Sequence, residues 1–250
     1  MPSFPGVKLG RLLWTGAVTF YSGVFFRNFL ADADIGGSSG VSFPPMLAAT
    51  LVLLLWMAAE YYVGVPFFQS GFVEPVTFLR ALFALFVYPY VTFVVADRFW
   101  WNRMQIPAAP IVMGILGLVL VCAGSYIRLA SLFGLLHALR RQTARERRYV
   151  STRLRVDLVM QLRLYRLCRQ PRYLGTLLQV FGIAMVFNSW GGLLLATVIG
   201  FPLVWAQARG EDRRCWSTDV AAYAKYAACV PLLIPRLRRQ AGVRPEDCAR

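Results

Sequence analysis

The stretch Arg169-Gln170-Pro171-Arg172-Tyr173-Leu174-Gly175 stands where an arginine-rich loop meets a long apolar segment. The loop occupies residues 140–172, and the apolar segment is interrupted only by Asn188-Ser189-Trp190-Gly191-Gly192. Polar residues and paired glycines within an apolar run mark a turn. The pattern therefore predicts two membrane helices, residues 174–187 and 193–208, joined as a hairpin.

The composition of the whole chain is that of a membrane protein. Of its 250 residues 58% are hydrophobic and 16% are charged, whereas about a quarter are charged in soluble domains. Further apolar runs at residues 12–30, 45–62, 78–96 and from 110 onward approach or reach the roughly 20 residues that a helix needs to cross a bilayer. With the hairpin they predict an all-α, polytopic transmembrane helical bundle of about six membrane segments.

Small residues and charges add detail to this bundle. Gly114, Gly117 and Gly124 in the fourth span predict close approach of a neighbouring helix. The net charge of +15 comes from arginines beside apolar spans, which is typical of cytoplasmic loops. We therefore expect membrane lipids, and not nucleic acid, as partners. Both termini are predicted to be cytoplasmic, in a multi-pass protein of a prokaryotic inner or plasma membrane.

Two polar clusters are predicted to face each other at one membrane surface. Arg169 and Arg172 precede a helix N-terminus, where unpaired amides and guanidinium groups together suit an anion. Glu211 and Asp212 follow the hairpin on the same side and suit a cation. A ligand that carries both a carboxylate and an ammonium or sulfonium charge would fit between the two clusters.

Tyr223 and Tyr226 add an aromatic face to this region. They lie three residues apart on a predicted short helix, and such a face suits a planar ring or a cation. Residue types alone leave a structural interpretation open, because arginines and tyrosines beside a span also set topology and anchor the chain. No nucleophile–base pair is predicted, since the single histidine, His137, lies elsewhere, and no metal site is indicated.

The spacing of these residues resembles a family signature. The stretch from Arg169 to Gly175 resembles the R-H-P-x-Y-L-G motif of the isoprenylcysteine carboxyl methyltransferase and phospholipid methyltransferase families. Glu211-Asp212 stands at the position of their E-E pair. Their Y-x-x-Y-x-x-x-V…P tail corresponds to Tyr223, Tyr226, Val230 and Pro235. The chain departs from the signature where Gln170 replaces the histidine and Asp212 replaces the second glutamate.

The resemblance covers roughly the C-terminal half and implies a division of the chain. Residues 1–108 would form N-terminal transmembrane helices that bind the acceptor, and residues 109–250 a methyltransferase-like membrane core. The implied activity is S-adenosylmethionine-dependent methyl transfer to a lipophilic or lipid-linked acceptor, from a cytoplasmic cofactor pocket. No catalytic residue is indicated. The residues implied to bind the cofactor are Arg169, Gln170, Tyr173, Gly175, Glu211, Asp212 and Tyr223.

Two alternatives stay open. Reductases of the sterol reductase superfamily, which use NADPH, carry a similar R-H-x-x-Y signature and a later acidic residue followed by Cys, Tyr and V-P. Glu211, Cys215, Tyr226 and Val230-Pro231 correspond to that pattern, although Arg172 stands where those reductases usually have asparagine. The other alternative is a transport or scaffold protein without activity, which Gln170 favours. The sequence specifies neither the acceptor nor the oligomeric state.

Overall fold

The computed structural model describes residues 46–55, 58–59, 78–101, 103–107, 110–140, 163–216 and 220–234. Of these residues 87% are helical, and they contain no β-strand. The predicted first span, much of the arginine-rich loop and the C-terminal tail lie outside the described residues. The helices are α1 (Met46–Leu55), α2 (Phe78–Ala96), α3 (Pro110–Arg140), α4 (Arg163–Leu167), α5 (Pro171–Val186), α6 (Trp190–Leu195), α7 (Phe201–Trp216) and α8 (Val220–Cys229).

Two of the described helices are long and apolar enough to cross a membrane. One is Pro110–Leu135 within α3, and the other is Trp190–Arg213, in which a short π-helical segment, Ala196–Gly200, joins α6 to α7. Both carry large apolar side chains on their outer surface, such as Val119 and Leu194. The prediction of an all-α chain is thus confirmed for the described residues, and membrane-spanning length is found for these two helices.

The C-terminal hairpin is present, but its turn is shorter than predicted. Helix α5 begins at Pro171 rather than at residue 174, because a proline at the first helical position loses no hydrogen bond that the helix would make. The turn comprises only residues 187–189. The paired glycines belong to α6, where a Cβ atom on Gly192 would lie 2.7 Å from the Val94 Cγ2 atom. The paired glycines therefore allow close helix packing and are not part of the turn.

Helices α3 and α5 pack together through facing glycines. A Cβ atom on Gly117 would lie 2.7 Å from the carbonyl oxygen of Gly182, and one on Gly124 would lie 2.5 Å from the carbonyl oxygen of Gly175. The two backbones therefore touch at both levels, as small residues permit in membrane helix pairs. The close approach predicted from Gly117 and Gly124 is confirmed.

A buried carboxylate holds the end of the bundle at the hairpin turn. Asp97 begins a π-helical segment, Asp97–Trp101, that continues α2, and only 1% of it is exposed. Its Oδ1 accepts a hydrogen bond from the Met104 amide (3.0 Å), and its Oδ2 accepts one from the Ser189 hydroxyl (2.6 Å). The sequence does not show that this segment and the turn meet, because Asp97 and Ser189 are far apart in the chain.

Replacing Ser189 with alanine should lower the free energy of unfolding by about 2 kcal/mol. The Ser189 hydroxyl also accepts a hydrogen bond from the Gly192 amide at 3.1 Å and so caps α6. Loss of a cap costs about 1 kcal/mol, and a buried carboxylate that loses a donor costs a similar amount. Thr197→Ala is the control, because the exposed Thr197 hydroxyl bonds only its own helix. Equal unfolding curves for the two variants in detergent would contradict this role of Ser189.

Candidate functional site

The N-terminus of α5 is fixed by a backbone pairing that the sequence did not predict. The Arg169 amide donates to the Pro231 carbonyl at 2.8 Å, and the Gln170 amide donates to the Leu232 carbonyl at 3.0 Å. Leu233 is buried beside this pairing and packs in a cluster with Tyr173. The segment after α8 thus holds the loop before α5. As a result, the chain that follows Tyr223 and Tyr226 lies next to the stretch that starts at Arg169.

Arg169, Asp212 and Tyr223 form one connected cluster. The Arg169 Nη1 atom lies 2.8 Å from both carboxylate oxygens of Asp212. The Tyr223 hydroxyl donates to the Asp212 Oδ1 atom. Only 14% of the Arg169 side chain and 12% of the Asp212 side chain are exposed, so water weakens this ion pair far less than a surface pair.

A second contact joins Tyr173 to Glu211. The Tyr173 hydroxyl donates to the Glu211 Oε1 atom at 2.7 Å, and Tyr173 itself is buried. Glu211 and Asp212 are neighbours on α7 and contact different partners, Tyr173 on α5 and Arg169 in the loop before it. Five of the seven residues implied by the resemblance are therefore in direct side-chain contact with another of the seven. We call these five residues, Arg169, Tyr173, Glu211, Asp212 and Tyr223, the acidic–aromatic cluster.

The two remaining residues lie at the edge of this cluster. Gln170 precedes α5, and its carbonyl accepts hydrogen bonds from the amides of Tyr173 and Leu174, while its side chain makes no capping bond. Gly175 is buried against α3, where a Cβ atom would lie 2.7 Å from the Arg128 Cγ atom. The structure thus shows main-chain and packing roles for these two residues.

The tyrosine face of α8 points into the protein. Tyr223 and Tyr226 are almost fully buried, and their rings meet edge to face with centroids 5.7 Å apart. The Tyr226 hydroxyl donates to the Tyr165 carbonyl at 2.7 Å. The predicted shared face is therefore present, and in this conformation it connects α8 to α4 and to Asp212.

Sequence reasoning missed a polar contact between α3 and α5. Arg128 lies within an apolar span and donates from Nη1 to the Thr176 hydroxyl, which in turn donates to the Arg172 carbonyl at 3.1 Å. One turn further along α5, the Gln179 side chain donates to the Ser125 hydroxyl at 3.0 Å. An arginine inside a membrane span is itself a signal of function, and it could have identified this contact.

Cys168, which directly precedes Arg169 of the cluster, is buried. Burial raises the pKa of the Cys168 thiol to about 11, against a smaller opposing effect of a backbone hydrogen bond at Gln170. The thiol is therefore protonated near neutral pH, whereas nucleophilic cysteines need a thiolate. The described ranges also contain no group of three or more His, Cys, Asp or Glu residues that could hold a metal ion.

Two cavities lie close to the described helices, and neither is lined by a residue of the acidic–aromatic cluster. One, of about 340 Å³, is lined by Tyr126, Ala130, Ser131, Arg163, Leu164 and Tyr165. The other lies at the hairpin end. In this conformation the charged groups of the cluster contact other members of the cluster.

Comparison of the chain with protein-family models, curated proteins and solved structures finds no match in any of the three.

Proposed function

We propose that this protein is an integral membrane methyltransferase that uses S-adenosylmethionine to modify a lipophilic or lipid-linked acceptor. The observation that carries the proposal is the convergence of the acidic–aromatic cluster. Its members lie before α5, in α5, in α7 and in α8. Direct hydrogen bonds join Arg169 and Tyr223 to Asp212, and Tyr173 to the neighbouring Glu211. These are the positions at which the chain resembles the methyltransferase signature.

The charges of the cluster suit the amino-acid end of the cofactor. A carboxylate there would contact Arg169, whose Nε atom is buried and has no hydrogen-bond partner among the described residues. A buried donor of this kind is costly when unsatisfied, so a ligand carboxylate would stabilise it. Glu211 and Asp212 supply negative charge for the ammonium and sulfonium groups. The ion pair between Arg169 and Asp212 is thus complementary to a ligand that carries both signs.

For methyl transfer the protein needs mainly to orient the donor and the acceptor and to exclude water. When bound, the cofactor supplies the methyl group from a sulfonium, which is its own leaving group. The chain's task is to align donor and acceptor, an effect that supplies a large part of the barrier reduction in such reactions. A site without a nucleophile–base pair is therefore adequate for an acceptor that is already anionic.

The proposed topology has six crossings with both termini in the cytoplasm. The cluster then lies at the cytoplasmic surface, next to the arginine-rich loop, which the positive-inside rule assigns to that side. The hairpin turn and the Asp97–Trp101 segment lie at the opposite surface. The N-terminal helices would contact the lipophilic acceptor, which reaches the cofactor from within the bilayer.

Glu211→Gln should weaken binding of S-adenosylmethionine to the purified protein by about 30-fold. The substitution keeps the shape of the side chain and removes its charge, and hydrogen bonds to charged groups contribute about 2 kcal/mol, or roughly 30-fold in affinity. Tyr173→Phe is the variant for comparison. It removes only one hydroxyl from the same contact, and about fivefold weaker binding is expected. Isothermal titration calorimetry measures both.

S-adenosylhomocysteine, which lacks the sulfonium charge, shows which ligand group Glu211 contacts. If Glu211 faces the sulfonium, the variant loses more affinity for S-adenosylmethionine than for S-adenosylhomocysteine. If Glu211 faces the ammonium, it loses equal affinity for both. Unchanged binding of both ligands would remove Glu211 from the site, and saturable NADPH binding in their place would favour a reductase.

A further inference from the structure

A second cavity of about 560 Å³ lies at the hairpin end of the bundle. Helix α5 separates it from the acidic–aromatic cluster, and the 16 residues of α5 span about 24 Å at 1.5 Å per residue. Its walls combine aromatic rings, a carboxylate and a guanidinium. The residues that line it are Phe93, Asp97, Trp100, Trp101, Arg103 and Met104. We call this cavity the tryptophan cleft.

The tryptophans of the cleft face outward from the π-helical segment. Trp100 is 60% exposed and Trp101 is 55% exposed, and the Trp101 ring meets Phe93 edge to face at 5.9 Å. Tryptophan is typical of the membrane–water interface. Its ring face also attracts cations, and ammonium groups are held by several rings together in known recognition sites. These rings therefore favour a cationic group at the membrane–water interface.

The two charged residues of the cleft have opposite signs. Asp97 is almost fully buried, and its carboxylate is held in place by the Met104 amide and the Ser189 hydroxyl. It places a carboxylate in the wall of the cleft together with the rings. Arg103 also lines the cleft and is exposed, and guanidinium groups bind phosphate well. The cleft thus combines aromatic rings and a buried carboxylate with an exposed guanidinium.

The geometry points to the tryptophan cleft as a binding site for the headgroup of a zwitterionic phospholipid. The ammonium group lies against the rings of Trp100 and Trp101, in front of the Asp97 carboxylate. The phosphate lies against Arg103, and the acyl chains run along the apolar surface of the bundle. The site is independent of the cofactor cluster and requires no methyl transfer.

The test measures lipid binding to the purified full chain by native mass spectrometry. Phosphatidylcholine and phosphatidylglycerol share the phosphate and differ in the ammonium group. The unmodified protein should prefer phosphatidylcholine, and the double variant Trp100→Ala/Trp101→Ala should weaken phosphatidylcholine binding about tenfold and leave phosphatidylglycerol binding nearly unchanged. Arg103→Ala should weaken the binding of both lipids.

Trp190→Ala is the matched control. Trp190 lies at the same end of the bundle and is 56% exposed, but it does not line the cleft. It should leave both lipid affinities unchanged, because it anchors the chain without contacting the headgroup. Equal binding of the two lipids by the unmodified protein, or an equal loss in Trp190→Ala and in the cleft variant, would overturn the assignment. Because all these side chains are exposed, the variants should fold normally.

Discussion

Asp212→Ala is expected to destabilise the protein by about 3 kcal/mol, since removing one partner of a buried ion pair leaves the other charge uncompensated. The Arg169 guanidinium would lose its carboxylate partner while remaining mostly buried. The Tyr223 hydroxyl would lose its acceptor in the same change. Binding of S-adenosylhomocysteine should become undetectable. Unfolding in mixed dodecyl sulfate micelles and calorimetric titration measure the two effects.

Two further variants separate stability from ligand binding at this position. Arg213→Ala changes the exposed neighbour on the same helix, and surface changes of this kind usually alter stability by less than about 0.5 kcal/mol. The double variant Arg169→Met/Asp212→Leu removes both charges, and apolar replacement of a buried pair is often neutral. It should recover most of the stability and still bind no ligand. Ligand binding by this double variant would show that the ion pair is purely structural.

Gly117→Ala is expected to destabilise the protein by about 3 kcal/mol, near the upper end for overpacking a well-packed site. The new Cβ atom would lie 2.5 Å from the Val186 amide nitrogen and 2.7 Å from the Gly182 carbonyl oxygen. Both are backbone atoms and cannot rotate away, so α3 and α5 would have to separate. Because α5 carries Tyr173, the ligand affinity of the folded fraction should fall as well.

Gly210→Ala is the matched control for this substitution. Gly210 lies in α7, beside Glu211, and an added Cβ atom would meet nothing within 4 Å. Alanine is favoured over glycine inside a helix by about 0.5–1 kcal/mol, so this variant should be slightly more stable than the unmodified protein. Two variants of equal stability would mean that the α3–α5 contact is not as close as described.

Periodicity and length were sufficient to predict several helices. Helix α2 has the predicted bounds, Phe78–Ala96, and α3 starts at Pro110, because long apolar runs end at charged or proline-containing segments. The predicted turn is too long, since glycines that serve helix packing look the same in sequence as glycines that serve a turn. Only contact with Val94 reveals the role of Gly192.

The candidate site was predictable in residue identity and less so in arrangement. The spacing of the motif singled out Arg169, Glu211 and Asp212, but it did not show that Arg169 contacts Asp212 while Glu211 contacts Tyr173. Such pairings depend on how α5 and α7 are rotated about their axes, which local sequence does not specify. The Asp97–Ser189 contact escaped prediction for the same reason, as it joins residues far apart in the chain.

Gln170 is the residue whose interpretation changes most. In the sequence it departs from the signature at a position where a histidine would be able to titrate. In the structure its amide and carbonyl hold the start of α5 and the segment after α8. A glutamine provides these main-chain contacts as well as a histidine does, so the scaffold does not require the histidine.

Methyl transfer into the lipid phase tests the proposed function most directly. Membranes that contain the protein are incubated with a lipid extract and S-adenosylmethionine labelled in its methyl group, and label in the organic phase is counted. We expect label that depends on the protein, is suppressed by excess S-adenosylhomocysteine, and falls to background in Asp212→Ala but not in Arg213→Ala. Label that is absent with the folded, unmodified protein, or unchanged in Asp212→Ala, would contradict a methyltransferase site at this cluster.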